Sequence, residues 1–261
     1  MREAAPHSVS EADLQKIWGQ VVLKPEVKAE LLDIIRLFNR GDRAAPTGLL
    51  LHGPPGTGKS EIARRLMDSV NCHVTWLLAG ELMMDGGYLG GRAMEVWERA
   101  KAHGRCMIIL DECECVFDRR DGRDSNSRRE RMIGAFISDW DGIGPACRQI
   151  WVVAATYDRK RIDEAILSRL GAAIELGLPD AAERLQILEL EMEKLHESPE
   201  VPPFVAEMTS GGMSGRVLSR IAGDVYTLAS EQGTTITDAH WRDVLTRPEW
   251  AKYRRATPPS H

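Results

Sequence analysis

The segment whose residue types and spacing point most directly to chemistry is Gly53-Pro54-Pro55-Gly56-Thr57-Gly58-Lys59-Ser60. It fits the pattern Gly-x4-Gly-Lys-[Ser/Thr]. In that pattern the glycines let successive backbone N–H groups wrap a chain of phosphates, and the N-terminus of the following helix adds positive dipole. Lys59 is expected to reach the β- and γ-phosphates, and the Ser60 hydroxyl to ligate Mg2+. The flanks agree with this reading. Apolar Leu49–His52 runs into the segment, and Glu61-Ile62-Ala63-Arg64-Arg65-Leu66 runs out of it as a helix. ATP with Mg2+ is therefore the expected ligand, held over Gly53 through Glu61.

A second group of carboxylates lies some fifty residues on. Cys106-Met107-Ile108-Ile109-Leu110-Asp111-Glu112 is an apolar strand ending in two acids. On a parallel sheet such an ending sets both acids at the carboxyl edge, where ligands bind. Asp111 is expected to hold Mg2+ through water, and Glu112 to polarise the attacking water as a general base.

These groups need a frame. Five short β-rich runs, Leu49–His52, His73–Leu78, Cys106–Leu110, Ile150–Ala155 and Ala173–Leu176, alternate with helix-period segments such as Ile62, Leu66 and Val70. That alternation predicts a mostly parallel sheet covered on both faces, with right-handed crossovers. The character changes at Pro179. Asp180 and Glu183 form a capping-box pair, and Leu185, Leu188, Met192 and Leu195 follow at helical spacing. Further helices are expected at about 215–232 and 238–245. The division expected is a flexible segment at 1–18, an α/β nucleotide-binding part at 19–179, a helical lid at 180–248 and a polar, frayed tail at 249–261.

Composition narrows the class. The 261 residues are 43% hydrophobic, enough for a substantial core, and the formal net charge of −5 offers no basic excess for nucleic acid. Cys72, Cys106, Cys113, Cys115 and Cys147 show no metal-binding spacing, and their odd number reads as reduced thiols. The N-terminus lacks a signal-peptide pattern, and no run is long and apolar enough to span a bilayer. A cytoplasmic protein is expected.

The Gly-Pro-Pro-Gly-Thr-Gly-Lys loop followed by the Ile-Ile-Leu-Asp-Glu strand resembles the AAA+ family of ATPases, in particular its AAA branch, from about Gly19 to Leu245. The resemblance implies an αβα sandwich of the P-loop NTPase kind with a five-stranded parallel sheet, a small all-α lid, and ATP bound between them. It also implies a ring, usually of six subunits, whose neighbours complete each site. By the same resemblance, Gly19-Gln20-Val21 wraps the adenine, with Gln20 among the binding residues. Ile162-Asp163-Glu164-Ala165-Ile166-Leu167-Ser168-Arg169 is similar to the run that carries the family's trans-acting arginine. That implies Arg169 as the finger on the adjacent γ-phosphate, with Arg161 as a weaker substitute. Gly212-Met213-Ser214-Gly215-Arg216 resembles the start of a lid helix whose arginine senses the γ-phosphate. One position departs: after Val152-Val153-Ala154-Ala155-Thr156 the family usually has Asn, and here it is Tyr157. A phenol cannot copy an amide's paired donor and acceptor, which puts the rate of hydrolysis in question while leaving binding untouched.

Tyr88-Leu89-Gly90 resembles the aromatic–aliphatic–Gly triplet with which remodelling members grip a polypeptide in the ring's pore. The charged stretch 117–131 falls where a second pore loop would lie. The expected function is ATP-driven remodelling of a protein substrate. The alternatives are a nucleotide-switched scaffold with slow turnover, favoured by Tyr157, and a nucleic-acid motor, disfavoured by the acidic pI. With only eighteen residues before Gly19, substrate choice is expected to reside in the loops, the outer surface or an adaptor.

Overall fold

Continuous apolar runs flanked by amphipathic helices produce a layered α/β arrangement, seen in a computed structural model that describes residues 2–83, 91–118, 127–142, 150–198, 200–209 and 212–253. Six strands form one sheet: β1 (Arg2–Ala4), β2 (Gly48–His52), β3 (His73–Leu78), β4 (Cys106–Asp111), β5 (Ile150–Thr156) and β6 (Gly171–Glu175), in the spatial order β1-β3-β4-β5-β2-β6. All pairs are parallel except β1 with β3. Every residue of β4 and β5 is buried, as expected of parallel strands covered on both faces.

The two-residue period of the strands sorts their side chains between two cores. Leu50, Ile108, Leu110, Val152 and Ala154 face Trp97 of α4 (Gly91–His103) and Phe136 and Trp140 of α6 (Ser127–Gly142). Leu49, Leu51, Met107, Ile109, Trp151 and Val153 face the other way. There they meet α1 (Glu11–Gly19), α2 (Pro25–Arg40) and α3 (Lys59–Asp68) through Trp18, Phe38 and Leu66. This is the αβα sandwich expected, with one more strand than the five foreseen.

The extra strand corrects the view of 1–18 as a flexible segment. Glu3 pairs with Thr75 across the sheet edge. Ser10 caps α1 in a reciprocal box with Asp13, and Leu14 and Trp18 are buried. The Trp18 indole Nε1 donates to Ser69 Oγ at 3.0 Å. The segment's polar composition hides the few apolar residues that anchor it, and β1 is held by backbone hydrogen bonds, to which composition is blind.

The chain forms two compact units, Met1–Gly53 with Lys59–Leu176, and Pro54–Gly58 with Gly177–His261. The first also holds two short helices, α5 (Glu114–Phe117) and α7 (Glu164–Leu170). In the second, α8 (Ala181–Lys194), α9 (Phe204–Met208), α10 (Gly215–Glu231) and α11 (Asp238–Thr246) share a core that includes Leu188, Leu218, Val225 and Trp241. The reciprocal box of Asp180 and Glu183 opens α8. Trp250 also enters this core, so the frayed tail expected from 249 does not begin there. Residues 254–261 lie outside the described residues. No helix among the described residues is long and apolar enough to cross a membrane.

Candidate functional site

Parallel strands bring their carboxyl ends to one edge of the sheet. At that edge β4 ends in Asp111, β5 in Thr156 and β2 in His52, with His52 in register with Thr156. β5 separates β2 from β4. The exits of β2 and β4 are therefore about 10 Å apart, at about 4.8 Å per strand. A gap of that width suits phosphates entering from one side and a carboxylate-held cation from the other.

Gly53, at the exit of β2, has φ +145°, and Gly56 and Gly58 have φ +83° and +94°. These angles turn the backbone into a cradle that residues with side chains rarely adopt. Lys59 opens α3, and its Nζ donates to Gly53 O at 2.7 Å. The ammonium thus lies folded over its own loop, at the place where an anion would sit. Ser60 is exposed one position on. Burial is the main cause that lowers the pKa of His52 from its ordinary value near 6.5, so the ring next to the loop is neutral at pH 7.

The middle of the loop, Pro54–Gly58, belongs to the helical unit. There Arg216 N donates to Gly56 O at 3.2 Å. A Cβ on Gly56 would stand 2.6 Å from Ser214 Oγ. The loop's centre is thus seated on the first turn of α10. Arg216 itself is exposed.

Asp111 is buried, and its Oδ1 accepts from Glu112 N at 3.0 Å. Glu112 is exposed and has φ +55°, a left-handed conformation that costs a side-chain-bearing residue about 1–2 kcal/mol. Strain of this sort gathers where geometry serves chemistry. Cys113 N donates to Ala155 O at 2.9 Å, fastening the exit of β4 to β5. The donor set fits the expected cation: Mg2+ keeps several waters and phosphate oxygens, so a serine hydroxyl and one carboxylate suffice from the protein. The cradle's glycine angles and Lys59 likewise fit a polyphosphate.

Thr156 is buried, and its Oγ1 accepts from Asp158 N at 3.2 Å. Tyr157 is 41% exposed. Its hydroxyl accepts from Arg161 Nη1, and Arg161 also makes a two-pronged pair with Asp118, at 3.3 Å through Nε and 2.5 Å through Nη2. Arg169, in the last turn of α7, pairs with Asp141 in the same two-pronged way at 2.9 and 2.6 Å, and its Nη1 donates to Ala165 O at 2.8 Å. The Arg169 hydrogen bond holds the Asp141 carboxyl below its usual range. Thr47 Oγ1 donates to Arg169 O at 2.7 Å. Gln20 Oε1 accepts from Arg65 Nη1 at 3.4 Å, and Arg65 pairs with Glu61 at 2.9 Å, so Gln20 adjoins the helix that begins at Lys59.

The structure thus gathers Gly53, Lys59, Asp111, Glu112, Thr156 and Tyr157 around one sheet edge, with Arg169 on a separate helix. Tyr88 and Leu89 lie outside the described residues, as does the part of the charged stretch from 119 to 126. Sequence reasoning does not identify Asp118 and Asp141 as the carboxylates that hold the two arginines. They stand 43 and 28 residues from their partners, and no local spacing signals such pairs.

Residues 49–178 match the model of the ATPase family associated with various cellular activities (AAA). The chain is similar to the ATP-dependent zinc metalloprotease FtsH of Acidothermus cellulolyticus, at 28% identity over 220 residues, 81% of this chain and 33% of the relative. It is likewise similar to the probable 26S proteasome regulatory subunit 10B of Caenorhabditis elegans, at 28% over 240 residues, 89% of this chain and 57% of the relative. The chain therefore spans less than two thirds of the curated relatives it matches.

Proposed function

The chain belongs to the ATPase family associated with various cellular activities, and on that premise we propose that it binds ATP with Mg2+ and hydrolyses it to remodel a protein substrate, working as a ring of its own copies. The observation that carries this reading is the convergence of the Gly53 loop, Asp111–Glu112 and Thr156–Tyr157 at the carboxyl ends of three adjacent parallel strands. In it, the backbone of Gly53–Glu61 cradles the phosphates and Lys59 bonds the β- and γ-oxygens. When bound, Mg2+ neutralises charge developing on the phosphates, and Ser60 and Asp111 are the residues that would hold it. Glu112 takes the proton of the attacking water. Gln20 lies toward the adenine, and Arg216 follows the γ-phosphate.

Arg169 of one subunit completes the site of the next, in a ring usually of six in this family. Two relatives are named for a protease and for a proteasome regulatory subunit, so the substrate class we assign is a polypeptide, gripped by Tyr88 and Leu89. The free thiols of Cys72, Cys106 and Cys113 support a reducing compartment such as the cytoplasm.

Glu112→Gln tests the assignment. It should keep ATP binding, stop phosphate release and stabilise the oligomer; phosphate release at the wild-type rate would remove Glu112 as the base. A second reading, a switch with little turnover, is favoured by Tyr157, whose hydroxyl is engaged by Arg161. Clear ATP binding by the wild type without phosphate release would select it.

A further inference from the structure

We propose that Arg161 is a positioning residue that acts within its own subunit: held by Asp118, it fixes the Tyr157 phenol and clamps the segment after Glu112 to the segment entering α7. The inference rests on the hydrolytic reading above and assigns Arg161 a part in it that excludes the role of a second finger.

The side chains supply the first argument. All three guanidinium nitrogens of Arg161 are committed on its own chain, Nε and Nη2 to Asp118 and Nη1 to the Tyr157 hydroxyl. The guanidinium also lies 5.7 Å from the centre of the Tyr157 ring. Arg169 is engaged on its own chain as well, so the distinction lies in the carboxylate that holds each: the Asp118 side chain is 20% exposed and that of Asp141 56%. The phenol oxygen, accepting from Arg161, keeps its own proton as the donor. That is half of what the amide usual at this position offers.

The backbone supplies the second. Asp118 and Ile162 form an antiparallel bridge, and Asp163 N donates to Phe117 O at 2.7 Å. Residue 118 is thus tied to 161–163 by main chain and side chain together. One end of this clamp follows Glu112, through α5, whose start is fixed by the bond from Cys113 N to Ala155 O. The other end leads into α7, where the Asp163 carboxylate caps Ala165 N at 2.9 Å and whose last turn carries Arg169. The left-handed backbone of Glu112 persists only if its surroundings hold it. The clamp joins that residue to the element bearing the finger.

The test uses the full chain. Arg161→Gln should lower kcat for ATP about ten- to a hundred-fold while ATP affinity stays within about two-fold, the signature of lost positioning rather than lost binding. Arg161→Lys, which keeps the charge but not the fork, should recover only part. Asp118→Asn should reproduce the defect, and the double variant should add nothing to it. Mixing separates cis from trans. Arg161→Gln subunits mixed with Glu112→Gln subunits should stay inactive, because each lacks a group its own site needs. Arg169→Ala subunits mixed with Glu112→Gln subunits should regain turnover at the junctions where one subunit lends its finger to the other.

Recovery in the first mixture, or an unchanged kcat in Arg161→Gln, overturns the inference. Absence of recovery in the second sinks the shared-site reading instead. Amide exchange decides the clamp independently of turnover. In Arg161→Gln, peptides covering 112–118 and 157–163 should both exchange faster. If neither or only one does, the clamp does not exist.

Discussion

Gly53 offers the most demanding check of the phosphate loop's geometry, because replacing it with alanine sets a collision on top of a backbone penalty. Its φ is +145°, and an added Cβ would lie 2.1 Å from Leu176 O and 2.9 Å from Leu176 C. Carbon atoms rest against neighbours at about 3.5–4.0 Å, so the Leu176 carbonyl must retreat by more than about 1 Å. Leu176 N donates to His52 O at 2.7 Å, and the retreat breaks that bond. Strained backbone costs about 1–3 kcal/mol and a lost hydrogen bond about 1 kcal/mol more, for a total of about 2–4 kcal/mol. At about 2–4 °C per kcal/mol in a chain of this size, Gly53→Ala should lower the melting temperature by about 4–16 °C.

Gly58→Ala is the control. Its φ of +94° carries the same backbone penalty, but nothing stands within 4 Å of the added methyl. It should be about 1 kcal/mol more stable than Gly53→Ala, yet still bind ATP poorly, since the loop must hold its angles to aim its N–H groups. Thermal melting by circular dichroism and titration with a fluorescent ATP analogue in Mg2+ read the two effects apart. Gly58→Ala melting as low as Gly53→Ala would show that strain, not collision with Leu176, sets the cost. A Gly53→Ala protein as stable as wild type would refute the reasoning altogether.

Charge and thiols give two further predictions. Asp141→Asn should leave turnover largely intact, with stability changed by less than about 1 kcal/mol, since its pair with Arg169 is largely exposed and Ala165 O still orients the guanidinium. Because Arg169 depresses the Asp141 pKa, the pair's contribution is complete above pH 3.8 and lost as pH falls through the depressed value. Wild type and variant melting curves should therefore differ at pH 7 and converge in strong acid. Burial pushes the thiols of Cys72 and Cys106 up to about 12 and that of Cys113 well above 9.0, whereas Cys115 is exposed. Iodoacetamide at pH 8 should label Cys115 first among these four, read by peptide mass spectrometry; labelling of Cys113 at an equal rate would show that α5 opens.

Features written in neighbouring residues are legible in the sequence alone. Cys106–Asp111 and Ile150–Thr156 are uninterrupted apolar runs of strand length, and Asp180 with Glu183 is a cap encoded within four residues. Tertiary pairings are not legible there. The run from Ile162 singles out Arg169 over Arg161, but only the fold supplies the carboxylates that hold them, Asp118 and Asp141. β1 leaves no pattern because Arg2-Glu3-Ala4 joins the sheet through backbone bonds to β3. Helix α9, Phe204–Met208, leaves none because five residues show too little of a 3.6-residue period to register.

The two arginine pairs differ in a way that fits their separate assignments. Asp141 keeps 56% of its side chain in solvent. Such a pair is worth less than about 1 kcal/mol, so Arg169 can exchange it for a neighbour's γ-phosphate at little cost while Ala165 O still orients the guanidinium. Asp118 keeps only 20%, and its main chain is bridged to Ile162 beside the arginine that it holds. Pulling Arg161 away would break a two-pronged pair with a more deeply set carboxylate and unload the Tyr157 hydroxyl at the same time. A finger must be loosely held to change partners between subunits, and a positioning residue must not be. By that criterion Arg169 is poised to reach outward and Arg161 to stay. If Asp141→Asn abolished folding while Asp118→Asn were silent, the assignments would have to be reversed.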